Sequence, residues 1–136
     1  MDLTKEYCTK EQGLKLQELG VNVPTRYFIH TNVVPQIIWL KVKDHTWCDI
    51  NTGYIEMDVM LGDYMVPVYS TGHLGQLLNV DYTGTPRVWN KYLHGNVKSL
   101  LDDAAINSEA QLRAQILITA IESNIDSYSV DEINKR

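Results

Sequence analysis

At 136 residues, 44% of them hydrophobic and 21% charged, the chain is sized for one domain that can bury roughly two-thirds of its unfolded surface. That balance excludes a disordered or low-complexity protein, and no run approaches the ~20 apolar residues of a membrane span. The formal net charge of −5 is unevenly placed: residues 1–43 carry +2, residues 44–85 carry −6 and residues 86–136 carry −1.

In chain order, Met1-Asp2-Leu3-Thr4-Lys5-Glu6 lacks the apolar core of a signal peptide, so a cytoplasmic protein is expected. Cys8 and Cys48 are too few for a disulfide framework and read as two semi-buried thiols. Thr9-Lys10-Glu11-Gln12 is a capping box, and the spacing of Gly13, Leu16 and Leu19 predicts a short helix that ends on a left-handed Gly20. An alternative start at Thr4, with Leu3 and Cys8 as a hydrophobic staple, would lengthen it; Pro24 blocks continuation either way. Alternation predicts a strand over 26–31, and Pro35 punctuates before a β-rich run over 37–43 with Ile38, Leu40 and Val42 on one face.

After a turn at Asn51-Thr52-Gly53, residues Tyr54 to Leu61 alternate most cleanly. Ile55, Met57, Val59 and Leu61 are expected to point inward, with Tyr54, Glu56, Asp58 and Met60 outward. Gly62-Asp63 turns the chain into a strand over Tyr64 to Tyr69, which Pro67 consigns to a sheet edge. A short helix follows over Thr71 to Asn79 with Leu74, Leu77 and Leu78 inward. Tyr82 to Pro86 is turn-like, Val88 to Leu93 fits no single class, and a helix is expected through Val97, Leu100, Leu101 and Ala105. A second capping box, Ser108-Glu109-Ala110-Gln111, opens an amphipathic helix carrying Leu112, Ile116, Leu117, Ala120 and Ile121 and ending near Asn124. The polar tail from Asp126 to Arg136 is expected to fray. Helix, strands, then helices, without a β–α repeat, predicts one α+β domain: a small, mostly antiparallel sheet from the central segment with N- and C-terminal helices on one face.

The stretch from Asp44 to Thr85 contains six acidic residues (Asp44, Asp49, Glu56, Asp58, Asp63, Asp81) and no Lys or Arg. On a sheet this makes either an ordinary solvated face or a surface for a basic partner, and it disfavours nucleic-acid binding. Eight Tyr and three Trp against one Phe add rings with a polar tip, which suit interface anchors and equally suit the edge of a small sheet. The residues singled out for partner binding are Tyr54, Glu56, Asp58 and Tyr64.

Catalytic and metal signals are thin. His45 and Cys48 sit three apart in a presumed loop with Asp44 and Asp49 beside them, but a structural zinc site needs four ligands and no second pair is nearby. Ser70-Thr71-Gly72-His73 places hydroxyls beside an imidazole, and also reads simply as the capped start of a helix. Glu56 and Asp58 share a strand face about 7 Å apart, a spacing some glycosidases use and exposed strands show routinely. Neither the Walker pattern nor the dinucleotide glycine fingerprint is present, and no cofactor is expected.

The run Thr9-Lys10-Glu11-Gln12-Gly13-Leu14-Lys15-Leu16-Gln17-Glu18-Leu19-Gly20 resembles the T-x-E-Q-x-x-K-L-x-E-L-G opening of short uncharacterised proteins carried by phages and mobile elements of gut-associated anaerobic bacteria. The acidic, strand-rich middle, Leu74-Gly75-Gln76-Leu77-Leu78 and the closing helix of Glu109 to Asn124 are similar to theirs as well, so the pattern spans about half of the chain. This sequence departs in closing with Glu122-Ser123-Asn124 and in placing Gly13 where a better helix former is usual. The shared motifs are structural, so the resemblance implies a phage or prophage accessory protein and assigns no functional residue.

The resulting expectation is a small non-enzymatic protein that binds another protein, of basic character, through an acidic, Tyr-rich sheet surface. Nucleic acid and membrane are not expected as partners. The alternatives are a subunit that self-associates through an edge strand or the last helix, and a hydrolase-type or metal-dependent enzyme built on His45 and Cys48.

Overall fold

The computed structural model describes residues 3–31, 36–57, 64–78, 108–124 and 128–136. The turn at Gly62-Asp63, the Tyr82–Pro86 and Val88–Leu93 segments and the helix expected through Val97 to Ala105 lie outside the described residues.

The first helix starts at its Thr9 cap and is not lengthened back to Thr4. Leu3–Glu6 forms a 3₁₀ turn, and Tyr7 then bridges Ser70. Thr9 caps α1 (Lys10–Glu18): Gln12 N donates to Thr9 Oγ1 and Thr9 N donates to Gln12 Oε1, each at 3.1 Å. The Gln12 amide also donates to Gln111 O at 2.8 Å, so one capping residue ties two helices together. Helix α1 ends on Gly20 at φ +101°. Val21 N returns to Leu16 O and Gly20 N to Gln17 O, the paired bonds of a Schellman cap, with Val21 and Leu16 both in the core.

The sheet comprises β1 (Tyr27–His30), β2 (Ile38–Lys43), β3 (Thr46–Asp49), β4 (Ile55–Glu56) and β5 (Met65–Pro67), in the order β4-β3-β2-β1-β5 with every pairing antiparallel. Strand β3 is the element that the residue pattern does not announce: His45 to Asp49, read above as a loop, is a turn followed by a strand. Asp44 and His45 make the β2–β3 turn, His45 in the left-handed region at φ +63°, and the register shifts between Lys41 and Lys43 around Val42. Strand β5 occupies the sheet edge that Pro67 predicts.

Register sorts the two faces. Ile29 lies opposite Ile38 and Val66, and Leu40 opposite Tyr27 and Cys48, so these point one way; Phe28, Trp39, Lys41, Trp47 and Glu56 point the other. The helices α1, α2 (Thr71–Leu77), α3 (Glu109–Glu122) and α4 (Val130–Asn134) share one core with the first face through Leu16, Ile29, Ile38, Leu74, Leu117 and Ile133. The described chain is an α+β fold with N- and C-terminal helices on one side of an antiparallel sheet. On the other side Trp39 and Trp47 are nonetheless almost inaccessible, and Trp39 Nε1 is buried with no hydrogen-bond partner among the described residues.

Gly13 has a packing reason. A Cβ built there would sit 2.5 Å from Pro67 O, 3.1 Å from Val66 Cγ1 and 3.3 Å from Val68 Cγ1, so α1 lies against the β5 backbone at a distance that only glycine permits.

Helix α3 starts at its Ser108 cap, where Ser108 Oγ accepts from Gln111 N, and stops at Ser123 with Asn124 at φ +54°. It is buried on several sides, through Ala110, Ala114, Ile116, Leu117, Ile118, Ala120 and Ile121. Residues 128–136, polar enough to suggest fraying, are docked in this fold. Ile133 and Tyr128 are buried, the Tyr128 hydroxyl donates to Leu78 O, and Arg136 lies 5.1 Å over the Tyr128 ring. Asn134 clamps the loop after α1, its Oδ1 accepting from Asn22 N and its Nδ2 donating to Gly20 O.

Candidate functional site

The β3–β4 hairpin is held by a turn of its own. Asp49 Oδ1 accepts from Asn51 N at 2.9 Å, Gly53 N donates to Asp49 O at 2.7 Å with Gly53 at φ +76°, and Asp49 N donates to Tyr54 O. Leu3 N, 48 residues earlier in the chain, adds a bond to Asn51 Oδ1. This turn delivers β4 to the outside of the sheet, where no strand among the described residues pairs with its outer edge.

Tyr54 and Glu56 emerge together as the alternation predicts, the Tyr54 hydroxyl donating to Glu56 Oε2 at 3.3 Å. Tyr54 is exposed and Glu56 half-buried across from Trp47. Asp58 lies outside the described residues. Tyr64 is exposed too, but it stands at the β5 edge with its ring 5.6 Å from His30. Four inter-strand spacings, roughly 19 Å, separate the two edges. The structure therefore brings Tyr54 and Glu56 into one site and puts Tyr64 in another.

The acidic character of this region is partly spent inside the fold. Asp49 is only 8% exposed and organises the turn, while Asp44 lies 3.7 Å from Lys41 Nζ in an exposed ion pair. Lys41 in turn sits 5.8 Å over the Trp47 ring, so a cation occupies the face next to Glu56. Asp63 and Asp81 fall outside the described residues.

The apolar face of β4 behaves differently from the expectation. Ile55 and Met57, the residues expected to point inward, are 49% and 71% exposed. Ile55 does face the helix side of the sheet, opposite Cys48, but among the described residues the helices cover β1, β2 and β5 and stop short of this end. Val42, in the bulge at the end of β2, is exposed as well. Alternation identifies which residues share a face; it carries no information on whether a helix reaches that face.

His45 and Cys48 do not converge into a ligand set. His45 is exposed in the turn, whereas Cys48 lies mid-strand between Leu40 and Ile55 with its thiol donating to Asp49 O at 3.6 Å. Among the described residues no three His, Cys, Asp or Glu side chains are grouped to hold a metal ion. Cys8, the other thiol, is buried in the core, and that burial pushes its pKa from 9.0 up to about 11. It has no nucleophilic character at neutral pH. Ser70 caps α2 by accepting from His73 N at 3.2 Å, the plain reading of that motif.

A surface pocket of about 450 Å3 opens between the loop after α1 and the β1–β5 edge, against Val23, Pro24, Phe28, Pro67 and Tyr69. Its one ionisable side chain among the described residues is Tyr69, whose hydroxyl already donates to Val23 O. No helix among the described residues is long and apolar enough to cross a membrane. Compared with protein-family models, curated proteins and solved structures, the chain matches none.

Proposed function

We propose that this chain is a non-enzymatic protein that binds another protein by accepting an extended segment along the outer edge of β4. The observation that carries this reading is the exposure of Ile55 and Met57 on an outermost strand whose far edge no described strand occupies. Such an edge offers unpaired backbone donors and acceptors for strand addition, and the alternate side chains supply specificity. Ile55 and Met57 would meet apolar side chains of the partner strand. Tyr54 and Glu56, on the opposite face, would meet a polar or basic one. The charge contribution rests on Glu56 and on Asp58, the carboxylate that the same alternation places beside it. The resemblance at Thr9 to Gly20 supports an accessory role in a phage or mobile element, acting in the cytoplasm of a bacterial host.

A second copy of the chain is the alternative occupant of the same edge, because an antiparallel edge can pair with itself. The last long helix is the less favoured surface for such pairing, because Ala110, Ala114, Ile116, Leu117, Ile118, Ala120 and Ile121 of α3 are buried in the core.

Capture from a nuclease-treated host lysate tests the reading, with wild type set against Met57→Lys and against Glu56→Lys plus Asp58→Lys. One stoichiometric partner is expected, weakened at least tenfold by Met57→Lys while the melting temperature stays within about 2 °C. The paired Lys substitutions and high salt should weaken capture less. A partner retained unchanged by Met57→Lys excludes the β4 edge. Light scattering that shows a dimer abolished by Met57→Lys moves the assignment to self-association.

A further inference from the structure

The two edges of the sheet present different backbones. On β5, Thr31 N donates to Tyr64 O and Val68 N to Tyr27 O. Tyr64, Val66 and Val68 therefore turn their polar groups to β1, and Met65 and Pro67 turn theirs outward. Pro67 has no N–H, and Gly13 of α1 closes on its carbonyl, so that edge is blunted. On β4, Asp49 N donates to Tyr54 O at 2.9 Å, which makes Trp47 and Glu56 the next bonded pair. The N–H and C=O of Ile55 are then aimed away from β3, and the same alternation carries on to Met57. No described strand pairs with them, and no proline interrupts them.

The side chains that flank those groups carry an unbalanced charge. Lys41, Trp47 and Glu56 stand opposite one another in a single row across β2, β3 and β4. Lys41 lies over the Trp47 ring at 5.8 Å, but it is engaged by Asp44 at 3.7 Å and stands two strands from Glu56. Glu56 forms no ion pair among the described residues. Its Oε2 accepts from the Tyr54 hydroxyl at 3.3 Å, which holds the carboxylate beside an exposed ring. Its Oε1 has no donor among the described residues.

The next position in that row belongs to the strand that is added. A residue set opposite Glu56 shares its face, with its Cβ roughly 5 Å away. The two residues beside it share the other face, opposite Ile55 and Met57, both apolar and exposed. A second copy of β4 fits this place poorly. The two-fold register that uses the outward groups of Ile55 and Met57 together sets Glu56 directly against Glu56. The register centred on Ile55 keeps one bonded pair and drives Met57 against Gly53, inside the turn at φ +76°.

Resting on strand addition at β4 as the function, we propose that the added segment belongs to a basic partner protein and reads apolar, Arg, apolar. Its Arg lies against Glu56, and its apolar side chains lie against Ile55 and Met57. Arg suits the place better than Lys, because its planar fork can bond Glu56 Oε1 and lie along the Tyr54 ring. Half-burial of Glu56 across from Trp47 also reduces the screening that weakens fully exposed pairs.

Three synthetic peptides test this by NMR of the isotope-labelled protein: acetyl-Ser-Thr-Val-Arg-Val-Thr-Ser-amide and the same peptide with Gln or Glu at its centre. The Arg peptide should shift the Ile55 and Met57 amides and saturate with a Kd below about 1 mM. The Gln peptide should bind about fivefold more weakly and the Glu peptide about twentyfold. Glu56→Lys should reverse the order of the Arg and Glu peptides, a change that misfolding does not produce. If all three peptides shift these amides alike, the edge accepts strands and the basic partner is excluded. If none shifts them by about 5 mM, strand addition itself falls, and the inference with it. Arg-peptide binding that leaves these amides in place, or that survives Glu56→Lys unchanged, overturns the assignment as well. So does a concentration-dependent shift of the same amides without peptide, which gives the edge to a second copy.

Discussion

At the β1–β5 end of the sheet Ile29 faces Val66, and the two are 2% and 3% exposed; at the other end Ile55 faces Cys48 and is 49% exposed. Both pairs consist of apolar side chains on the same face of the same antiparallel sheet. What differs is the layer above them. Helix α1 lies on β5 through Gly13, and α2, α3 and α4 join it around Leu16, Leu74, Leu117 and Ile133. Over β4 no helix among the described residues forms such a layer. The pair teaches that the covered end is where folding energy is gained, while the uncovered end keeps apolar surface available to a partner.

Large-to-small substitution separates the two ends most sharply. Leu16→Ala, at a fully buried position, should cost about 3 kcal/mol of unfolding free energy in urea melts. Ile55→Ala should cost no more than about 0.5 kcal/mol, because it removes surface that is already half in water. Equal losses would mean that β4 belongs to the cooperative core after all.

The two thiols sharpen the same contrast. Cys8 lies in the covered core and Cys48 on the uncovered end, so a thiol reagent should modify Cys48 in the native protein and reach Cys8 only at the rate of unfolding. The pH dependence has a definite sign. In the unfolded chain the Cys8 thiol ionises near 9, and in the fold near 11, so the unfolded state loses its proton first. Stability is therefore intact below pH 9 and falls as pH rises toward 11, by about 2–3 kcal/mol from this group. Cys8→Ala should be less stable at neutral pH and should show a flatter alkaline limb. An alkaline limb as steep as that of wild type would remove Cys8 as its source.

Two glycines give the last contrast. Gly13→Ala forces a Cβ against Pro67 O and should cost about 2 kcal/mol. Gly72→Ala, in the first turn of α2 with open space around it, should be neutral or slightly stabilising. If the two alanines behave alike in thermal melts, the close approach of α1 to β5 is not what Gly13 provides.

Much of the covered end is legible residue by residue. Thr9 and Gln12 announce the start of α1, Gly20 its end, Ser108 and Asn124 the limits of α3, and Pro67 the edge position of β5, because each acts within a few residues of itself. Gly13 is legible only as an oddity, a poor helix former in a helix. Its reason lies more than fifty residues away at Pro67. Strand β3 escapes notice because Thr46 to Asp49 is short and begins and ends on a polar residue. It becomes a strand only because β2 and β4 pair with it on both sides.

The candidate sites divide along the same line. Tyr54 and Glu56 are legible as neighbours on one strand face, and their hydrogen bond follows from that. That Tyr64 belongs to the opposite edge is a matter of strand order, which period-two alternation does not encode. His73 is legible within the Ser70-Thr71-Gly72-His73 run and Arg26 carries no local signal; the packing of α2 beside the entry to β1 is what brings both to the lining of one pocket.

The sequence by itself determined the local elements, their caps, the class of the fold and the faces that alternate side chains share. Each of these depends on backbone geometry and on partners within one turn or one strand. Only the tertiary structure decided which face a helix covers, which carboxylates are absorbed by turns and ion pairs, and which distant side chains meet. Those outcomes depend on the order of strands and the reach of helices, and both are set by contacts between residues far apart in the chain.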